Sequence, residues 1–245
     1  MVSGLKLFDL NGKTALITGS SQGIGYALAR GLADAGSDII LNGRNIEKLK
    51  KSAELLNTKQ KIFQLCFDVT DYRQIKQCIN KFEKENKPID ILINNAGMQF
   101  RTPLEDFPPE KFELLLKTNV SSVFNVSQAV VKYMIKRGEG KIINIASVQT
   151  SLARPGIAPY TATKGAVGNI TKGMATDWAK YGIQCNAIAP GYFDTPLNAA
   201  LVSDSEFTAW LQKRTPAGRW GEVHELVGAS ICLLYTSPSP RDRRL

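Results

Sequence analysis

Residues 14–25 read TALITGSSQGIG, an apolar run that leads directly into a glycine-rich turn. The run predicts a short strand, and the residues from Gly23 to Gly36 predict the helix that follows it. Glycines between a strand and a helix permit a tight turn, and the free amides and dipole at the helix start attract anions. This unit therefore predicts a loop, residues 19–25, that binds the phosphates of a dinucleotide.

Strand-like and helix-like segments alternate outward from this loop. Further strands are predicted at 38–42, 61–67, 90–93, 141–146 and 183–189, and further helices at 45–57, 71–86, 110–137 and 160–181. Because helices follow strands one for one, the pattern predicts an α/β fold, a Rossmann-type doubly wound parallel sheet in three α/β/α layers. Segments 98–109 and 191–220 have no clear period and are predicted to form loops over a ligand at the carboxyl ends of the strands.

Composition limits the function classes that need to be considered. The 245 residues are 43% hydrophobic and 22% charged, which is ordinary for one globular domain. No apolar run is long enough to span a membrane, the first residues do not resemble a signal segment, and the four cysteines form no CxxC pair. The net charge of +9 is spread along the chain without a nucleic-acid-binding motif. We therefore expect a cytoplasmic protein with no membrane or nucleic-acid partner and no metal site.

Four polar residues form a candidate catalytic set. Tyr160 and Lys164 are four residues apart in a predicted helix, so they share one face. Ser147 closes the fifth predicted strand, and Asn119 lies inside a long predicted helix, where propensity gives no reason for asparagine. Free tyrosine titrates near ~10, so a tyrosine base needs a neighbouring cation that lowers its pKa. Lys164 is placed to be that cation, and Ser147 to orient a substrate oxygen.

The glycine-rich loop also permits a competing interpretation. Residues 19–23 match G-x-S-x-G, the nucleophile turn of α/β-hydrolases, with Ser21 as the nucleophile. However, only one strand precedes Ser21, and the single histidine, His224, stands between Glu222 and Glu225 on a predicted solvated helix face. A serine nucleophile of this kind needs a histidine base, so the hydrolase interpretation is disfavoured.

The TGxxxGIG loop and the candidate catalytic set, in this order, resemble the short-chain dehydrogenase/reductase family over residues 13–232. The resemblance implies an NAD(P)-dependent oxidoreductase that acts on a CH–OH group, with the four set members as its catalytic residues. It also implies that Asn119 holds a water that connects Lys164 with solvent. The expected cofactor contacts are Gly19, Ser20, Ser21, Gln22, Gly23, Ile24, Gly25, Arg44, Asp68, Val69, Asn94, Ala96, Gly97, Tyr160, Lys164, Pro190, Gly191 and Thr195.

Arg44 bears on the choice between NAD and NADP. NAD enzymes place a carboxylate at the end of the second strand for the ribose 2′-hydroxyl, whereas NADP enzymes place a basic group near the 2′-phosphate. The sequence there is Asn42-Gly43-Arg44, and Asp38 lies at the opposite end of the strand. A guanidinium can bind a phosphate through two hydrogen bonds. We therefore expect NADP, with NAD as the alternative.

Two arginines in the predicted loops indicate a small acidic substrate. Arg101 follows the fourth strand, and Arg154 lies between Ser147 and Tyr160. Both flank the candidate catalytic set, where a guanidinium can bind a carboxylate. The expected substrate contacts are Arg101, Ser147, Gln149, Arg154, Tyr160, Tyr192 and Asn198.

A narrower resemblance concerns the substrate. Residues 103–108, PLEDFP, and 213–222, KRTPAGRWGE, are similar to the branch of the family that interconverts gluconate and 5-keto-gluconate with NADP. This similarity implies a sugar-acid substrate. Two other functions stay open: reduction of another carbonyl, such as a 3-oxoacyl thioester, a sugar or a cyclic ketone, and cofactor binding without catalysis. A panel of substrates would separate these functions.

The family resemblance stops near residue 232. Where the family continues to a seventh strand, this chain has residues 233–245, LLYTSPSPRDRRL, and the stretch 232–242 resembles one reading frame of a sequencing-library adapter. We expect one domain over 1–232 that lacks the seventh strand, and a tail over 233–245 that is artefactual or a natural disordered segment. The resemblance implies homotetramers for intact members, and an uncovered sheet edge is expected to impair assembly here.

Overall fold

Six short strands of mainly aliphatic residues form the centre of the molecule in a computed structural model that describes residues 4–235. The strands are β1 (Thr14–Ile17), β2 (Asp38–Gly43), β3 (Ile62–Cys66), β4 (Ile91–Asn94), β5 (Gly140–Ile145) and β6 (Ile183–Ile188). They pair in the order β3-β2-β1-β4-β5-β6, and every pair is parallel. The predicted Rossmann-type sheet is confirmed, and the strand order changes direction between β1 and β4, where ligands bind in such folds.

Helices connect the strands and cover both faces of the sheet. Within the described residues they are α1 (Gly23–Asp34), α2 (Ile46–Leu56), α3 (Tyr72–Glu85), α4 (Pro109–Leu116), α5 (Ser122–Arg137), α6 (Ala158–Trp178), α7 (Ala199–Val202), α8 (Ser205–Arg214) and α9 (Glu225–Tyr235). Side chains cap the starts of three of them, α2, α3 and α8; at α8, Asp204 accepts a hydrogen bond from the Phe207 amide at 3.0 Å. Asn45 accepts a hydrogen bond from the Lys48 amide at 3.0 Å, and Asp71 accepts one from the Arg73 amide at 2.9 Å. These caps satisfy amides that have no partner inside the helix.

The strand side chains alternate between two hydrophobic cores, one on each face of the sheet. Leu16 lies in the first core, between the sheet and helices α3, α5 and α6, together with its sheet neighbours Ile40 and Leu92. The next residue, Ile17, lies in the second core, against α1, α2 and α9. All four side chains are fully buried. A sheet that is packed on both faces holds the carboxyl ends of its strands in fixed positions, and the functional site is built there.

The structure corrects two element predictions. The helix predicted over 110–137 is divided into α4 and α5 by a π-helical turn at Lys117–Ser121. The predicted loop 191–220 contains the short helices α7 and α8. A single π turn adds about one residue to a helical turn, so the hydrophobic period on either side stays helical and does not reveal the interruption.

The end of the described chain belongs to α9. This helix extends to Tyr235, and its Leu234 is buried in the second core. Residues 233–235 thus continue the apolar helix, and the expected domain boundary at residue 232 stays a prediction. The remainder of the predicted tail, 236–245, lies outside the described residues. Between residues 4 and 235, no helix combines the length and the apolar character needed to cross a membrane.

Candidate active site

A cleft of about 360 Å³ opens where the chain leaves the carboxyl ends of β1, β4, β5 and β6. The predicted site residues that line it are Gln22, Gly23, Ile24, Ala96, Gly97, Arg101, Ser147, Gln149, Arg154, Tyr160, Lys164, Pro190, Gly191, Tyr192, Thr195 and Asn198. The predicted residues outside this lining are Gly19, Ser20, Ser21, Gly25, Arg44, Asp68, Val69, Asn94 and Asn119. The cleft therefore joins all the expected substrate contacts with three of the four members of the candidate catalytic set.

The glycine-rich loop after β1 has the shape of a phosphate cradle. Gly19 has a φ of +61°, and a Cβ there would lie 2.9 Å from the Cα of Ala96. The Asn95 side chain donates hydrogen bonds to the carbonyls of Thr18 and Gly19, at 2.9 and 3.0 Å. Helix α1 begins at Gly23 without a side-chain cap, so its first amides remain available to an anion.

Ser20 acts within the loop rather than toward a ligand. Its buried hydroxyl donates to the Ile17 carbonyl at 2.8 Å and accepts from the Asn42 amide at 3.0 Å. The Asn42 side chain accepts from the Gly19 amide at 3.3 Å and donates to the Leu65 carbonyl at 2.9 Å. These bonds occupy the Ser20 hydroxyl, and the expected cofactor contact of Ser20 stays a prediction. They also show that Asn42, which sequence reasoning missed, joins the loop to β2 and β3.

The carboxyl ends of β2 and β3 bring Arg44 and Asp68 together. The Arg44 side chain is 79% exposed, and its Nη1 lies 3.8 Å from an Asp68 carboxylate oxygen. The other Asp68 oxygen accepts hydrogen bonds from the amide and the hydroxyl of Thr70, both at 2.8 Å. Val69 follows Asp68 and is buried in the first core. The exposed guanidinium can donate hydrogen bonds to a phosphate, and the fixed carboxylate can accept a hydrogen bond from the polar edge of a ring.

The strand β5 and the helix α6 bring Ser147, Tyr160 and Lys164 into the cleft. Lys164 is buried, and its ammonium donates a hydrogen bond to the Ile145 carbonyl at 2.7 Å. The same ammonium lies 5.7 Å from the centre of the Tyr160 ring. The Ser147 hydroxyl accepts from the Gln149 amide at 3.2 Å, which fixes its position near the phenol. The three groups can therefore act on one substrate oxygen.

Burial controls the protonation of this set. It lowers the pKa of Lys164 to about 8, from 10.5 for an exposed lysine. It also raises the pKa of Tyr160, although a hydrogen bond with Ser147 and the charge of Arg101 act in the opposite direction. The expected lowering of the Tyr160 pKa is therefore not produced by the protein side chains alone, because burial outweighs the Ser147 hydrogen bond and the charge of Arg101. At neutral pH the phenol keeps its proton and can donate it.

Asn119 lies in the π turn between α4 and α5. Its side chain accepts from the Met98 amide at 2.8 Å, and it donates to the Met98 carbonyl at 2.9 Å and to the Thr163 hydroxyl at 3.1 Å. A Cβ on Gly97 would lie 3.4 Å from the Asn119 oxygen and 4.0 Å from the Lys164 ammonium. Asn119 thus fixes the segment after β4 beside Lys164, and its water-holding role stays a prediction.

Asn94, the last residue of β4, and Asn95, which follows it, direct their side chains to different places. Asn94 is buried and donates to the Ser127 hydroxyl and to the Asn144 side chain, both at 2.8 Å. The Asn94 side chain therefore points into the interior, and its expected cofactor contact stays a prediction that would have to involve its backbone. Asn95 lines the cleft instead. Side chains alternate along a strand, so the sequence alone did not reveal which of the two neighbours faces the ligand.

Arg101 and Arg154 face the cleft with unused hydrogen-bonding capacity. Arg101 donates to the Gln99 and Asn198 side chains, at 2.7 and 3.1 Å. Burial and the nearby charge of Arg154 lower the pKa of Arg101. The Nε atoms of both arginines are buried and have no hydrogen-bond partner among residues 4–235. Two neighbouring guanidiniums that repel each other form a favourable site for an anion.

The remaining expected substrate contacts differ in whether their polar atoms already have hydrogen-bond partners. Gln149 is 6% exposed, and its side-chain oxygen has no partner among the described residues. A buried carbonyl of this kind favours a hydrogen-bond donor from a ligand. Both polar atoms of Asn198 are already used, by Arg101 and by the Phe193 carbonyl at 3.0 Å. Tyr192 lines the cleft and contacts aromatic residues of the loop above it.

The segment after β6 closes the cleft opposite α1. The Val148 amide donates to the Pro190 carbonyl at 2.9 Å, which holds the segment beside β5. Gly191 and Thr195 follow, and both line the cleft. A Cβ on Gly23 would lie 3.9 Å from the Thr195 Cβ, so the segment approaches the start of α1 closely. A ligand on the phosphate cradle would lie beneath this segment.

The structure gives no support to the hydrolase interpretation. His224 is exposed and lies 3.2 Å from a Glu222 carboxylate oxygen, and it is not part of the cleft lining. Ser21 therefore has no histidine base nearby in the cleft. Among residues 4–235, no three His, Cys, Asp or Glu side chains come together in a group that could hold a metal ion.

Comparisons with known proteins agree with this geometry. The family model described as short chain dehydrogenase matches residues 13–206. A gluconate 5-dehydrogenase from Gluconobacter oxydans (strain 621H) is 56% identical over 93% of this chain and 89% of the relative. A 5-keto-D-gluconate 5-reductase from Escherichia coli (strain K12) is 47% identical, over 93% of this chain and 90% of the relative.

A solved structure resembles this fold at a similar sequence identity. The crystal structure of a gluconate 5-dehydrogenase from Burkholderia cenocepacia J2315, in complex with NADP and tartrate, has a TM-score of 0.92 and 55% sequence identity. The match covers 94% of this chain and 91% of that chain.

Proposed function

This chain belongs to the short-chain dehydrogenase family, and we propose that it interconverts a hydroxyl and a keto group on a sugar acid with NADP as the cofactor. D-gluconate and 5-keto-D-gluconate are the substrate pair that we favour. The observation that carries this proposal is the convergence in one cleft of Ser147 and Tyr160 with two arginines whose buried Nε atoms lack partners. The names of the similar gluconate 5-dehydrogenase and 5-keto-D-gluconate 5-reductase support the same pair.

The cofactor site fits a phosphorylated dinucleotide. When bound, NADP supplies the nicotinamide ring that accepts or returns a hydride. The compact loop 19–25 and the uncapped start of α1 would hold the phosphates, and Arg44 would bind the 2′-phosphate. Asp68 would contact the adenine, and the residues after β6, with Lys164, would hold the nicotinamide side. The NADP in the similar solved structure supports this assignment.

The side chains would move the proton in a defined order. Tyr160 would give its phenolic proton to the substrate oxygen during reduction and take it back during oxidation. Ser147 would hydrogen-bond the same oxygen and hold it in place. Lys164 would stabilise the phenolate through its charge, and Asn119, through a held water, would connect Lys164 with solvent. Because burial raises the pKa of Tyr160, the protonated enzyme is the form ready to reduce a ketone near neutral pH.

The arginines and Gln149 favour a sugar acid over the other carbonyl substrates. A carboxylate can accept from both guanidiniums and so satisfy the two buried Nε groups. A hydroxyl next to the reacting carbon can donate to the buried Gln149 oxygen. A cyclic ketone would satisfy neither group, so reduction of other carbonyls and binding without catalysis remain the less supported alternatives.

Absorbance of NADPH provides the test of this function. We expect D-gluconate with NADP to give NADPH, and 5-keto-D-gluconate with NADPH to give the reverse reaction, both faster than with NAD or NADH. Arg101→Gln should lower kcat/KM for gluconate by about tenfold or more, because a charge-assisted contact is lost. Faster turnover of a 3-oxoacyl thioester, or NADP binding without turnover of either sugar acid, would contradict the proposal.

We further propose that the enzyme acts in the cytoplasm, with a single NADP-binding domain as its catalytic unit, and that its copies associate. The homotetramer is the form expected of intact family members, and assembly is expected to be impaired here. Aliphatic and aromatic side chains exposed on α4 and α5 support an interface between copies. Phe112, Leu116 and Phe124 are 36%, 36% and 45% exposed. Beside NADP, the arginines of the cleft favour a small anionic metabolite as the binding partner.

A further inference from the structure

The Arg154 guanidinium lies beside an aromatic ring of helix α8. Its own hydrogen bond goes to the carbonyl of the next residue, Pro155, at 3.2 Å, and this bond does not anchor the arginine to another element. The centre of its guanidinium lies 5.2 Å from the centre of the Phe207 ring in α8. We propose that Phe207 is a positioning residue that holds Arg154 ready for the substrate carboxylate. This inference rests on the proposed function.

The Phe207 ring is itself fixed by a cluster of aromatic side chains. Tyr192, Trp210 and Trp220 lie 5.7, 5.2 and 6.1 Å from it, measured between ring centres. The Trp220 indole donates to the Thr208 hydroxyl at 3.2 Å, which ties the end of the loop to α8. The Phe207 ring is therefore packed against three other aromatic rings, which limits the positions that it can take.

The contact with Phe207 leaves the edge of the Arg154 guanidinium available to the substrate. A guanidinium offers its flat face to an aromatic ring and its edge to a carboxylate, and the two contacts do not compete. The Arg154 Nε, which belongs to that edge, is buried and has no partner among the described residues. The nearby Arg101 repels Arg154, so a contact is needed that keeps the two charges in one cleft. The Phe207 ring provides that contact.

Steady-state kinetics of the full chain with D-gluconate and NADP tests the inference. Phe207→Leu should raise KM for gluconate by about threefold to tenfold, while kcat and KM for NADP change by less than about twofold. Phe207→Tyr keeps an aromatic face and should restore the wild-type KM. Phe207→Met serves as a second non-aromatic variant if the leucine variant does not fold.

Two controls separate a local effect from a general one. Arg214→Gln removes the other arginine–aromatic contact of α8, in which Arg214 lies 5.1 Å from Trp210 outside the cleft lining, and should leave KM unchanged. In the Arg154→Gln background, Phe207→Leu should have no further effect, since a residue that acts through another loses its role when that other is removed.

The results that would contradict the role of Phe207 differ from the result that would contradict the proposed function. An unchanged KM for gluconate in Phe207→Leu, equal losses in the leucine and tyrosine variants, or additive effects in the double variant would overturn the positioning role. A wild-type chain that does not turn over gluconate would contradict the proposed function itself, and the role of Phe207 with it.

Discussion

Burial of the Lys164 ammonium lowers the stability of the folded state. The buried ammonium is held by one carbonyl, and burial lowers its pKa to about 8. Below that pH the lysine is charged in both the folded and the unfolded chain, and the folded state bears the cost of burying the charge. Between about 8 and 10.5 the folded protein has released a proton that the unfolded chain retains. The free energy of unfolding therefore rises with pH in this window.

A methionine at this position removes the effect. Relative to Lys164→Met, the wild type should gain on the order of 3 kcal/mol in free energy of unfolding between about pH 7.5 and 10.5. Urea unfolding of both proteins at the two pH values measures this gain. Lys172→Met, at an exposed lysine of the same helix, is the control and should show no such dependence on pH. A constant difference between Lys164→Met and wild type would contradict the prediction.

Arg44 is the residue that we expect to set the cofactor preference. Its guanidinium is mostly exposed and only loosely paired with Asp68, so a phosphate can displace the carboxylate. Arg44→Ala should raise KM for NADP by about tenfold or more and leave KM for NAD nearly unchanged, because only NADP carries the 2′-phosphate. The exposed Arg30 of α1 provides a control, Arg30→Ala. Equal changes for both cofactors would show that Arg44 does not contact that phosphate.

At the scale of elements, periodicity predicted the strands and most of the helices, because each has one or two buried faces. It missed the π turn, because an extra residue barely changes the hydrophobic period, and it missed α8, which is short and mixes aromatic with charged residues. The residues of the candidate catalytic set were predicted from the sequence, because the proposed chemistry limits the choice of residue. Asn42, Asn95 and Phe207 were not, because their roles depend on contacts between distant segments.

The contact between α1 and α9 yields a prediction for two elements. Gly31 of α1 lies against Val227 of α9, and an added Cβ would overlap the valine methyl groups. Gly31→Ala should therefore lower the free energy of unfolding by about 1–3 kcal/mol, although alanine favours helices. Gly173→Ala, at an exposed position of α6 with nothing within 4 Å, should instead raise stability by up to about 1 kcal/mol.

Thermal unfolding of the two alanine variants measures this difference. Combining Gly31→Ala with Val227→Ala should recover part of the loss, because the smaller side chain makes room for the new methyl group. A Gly31→Ala variant as stable as the wild type would mean that α9 does not press on α1 as described.

At the scale of the whole molecule, the exposed apolar side chains of α4 and α5 predict an interface. Phe124 is the most exposed of the three named above, at 45%. Phe124→Lys should shift the sedimenting species toward smaller assemblies, since a charge in an apolar interface is costly, and NADP binding should persist. Leu55→Lys, at a leucine of α2 that is 58% exposed, is the matched control. Identical sedimentation of Phe124→Lys and wild type would contradict the proposed interface.

The two halves of the molecule meet in one cleft, with the proposed phosphate-binding loop after β1 and the proposed proton-transfer groups after β5. The account depends on Tyr160 as the group that exchanges a proton with the substrate. The most direct test measures NADPH formation from D-gluconate by Tyr160→Phe, with NADP binding measured in parallel. We predict a fall in kcat of at least about 100-fold with NADP binding retained. Turnover at the wild-type rate in this variant would contradict the account.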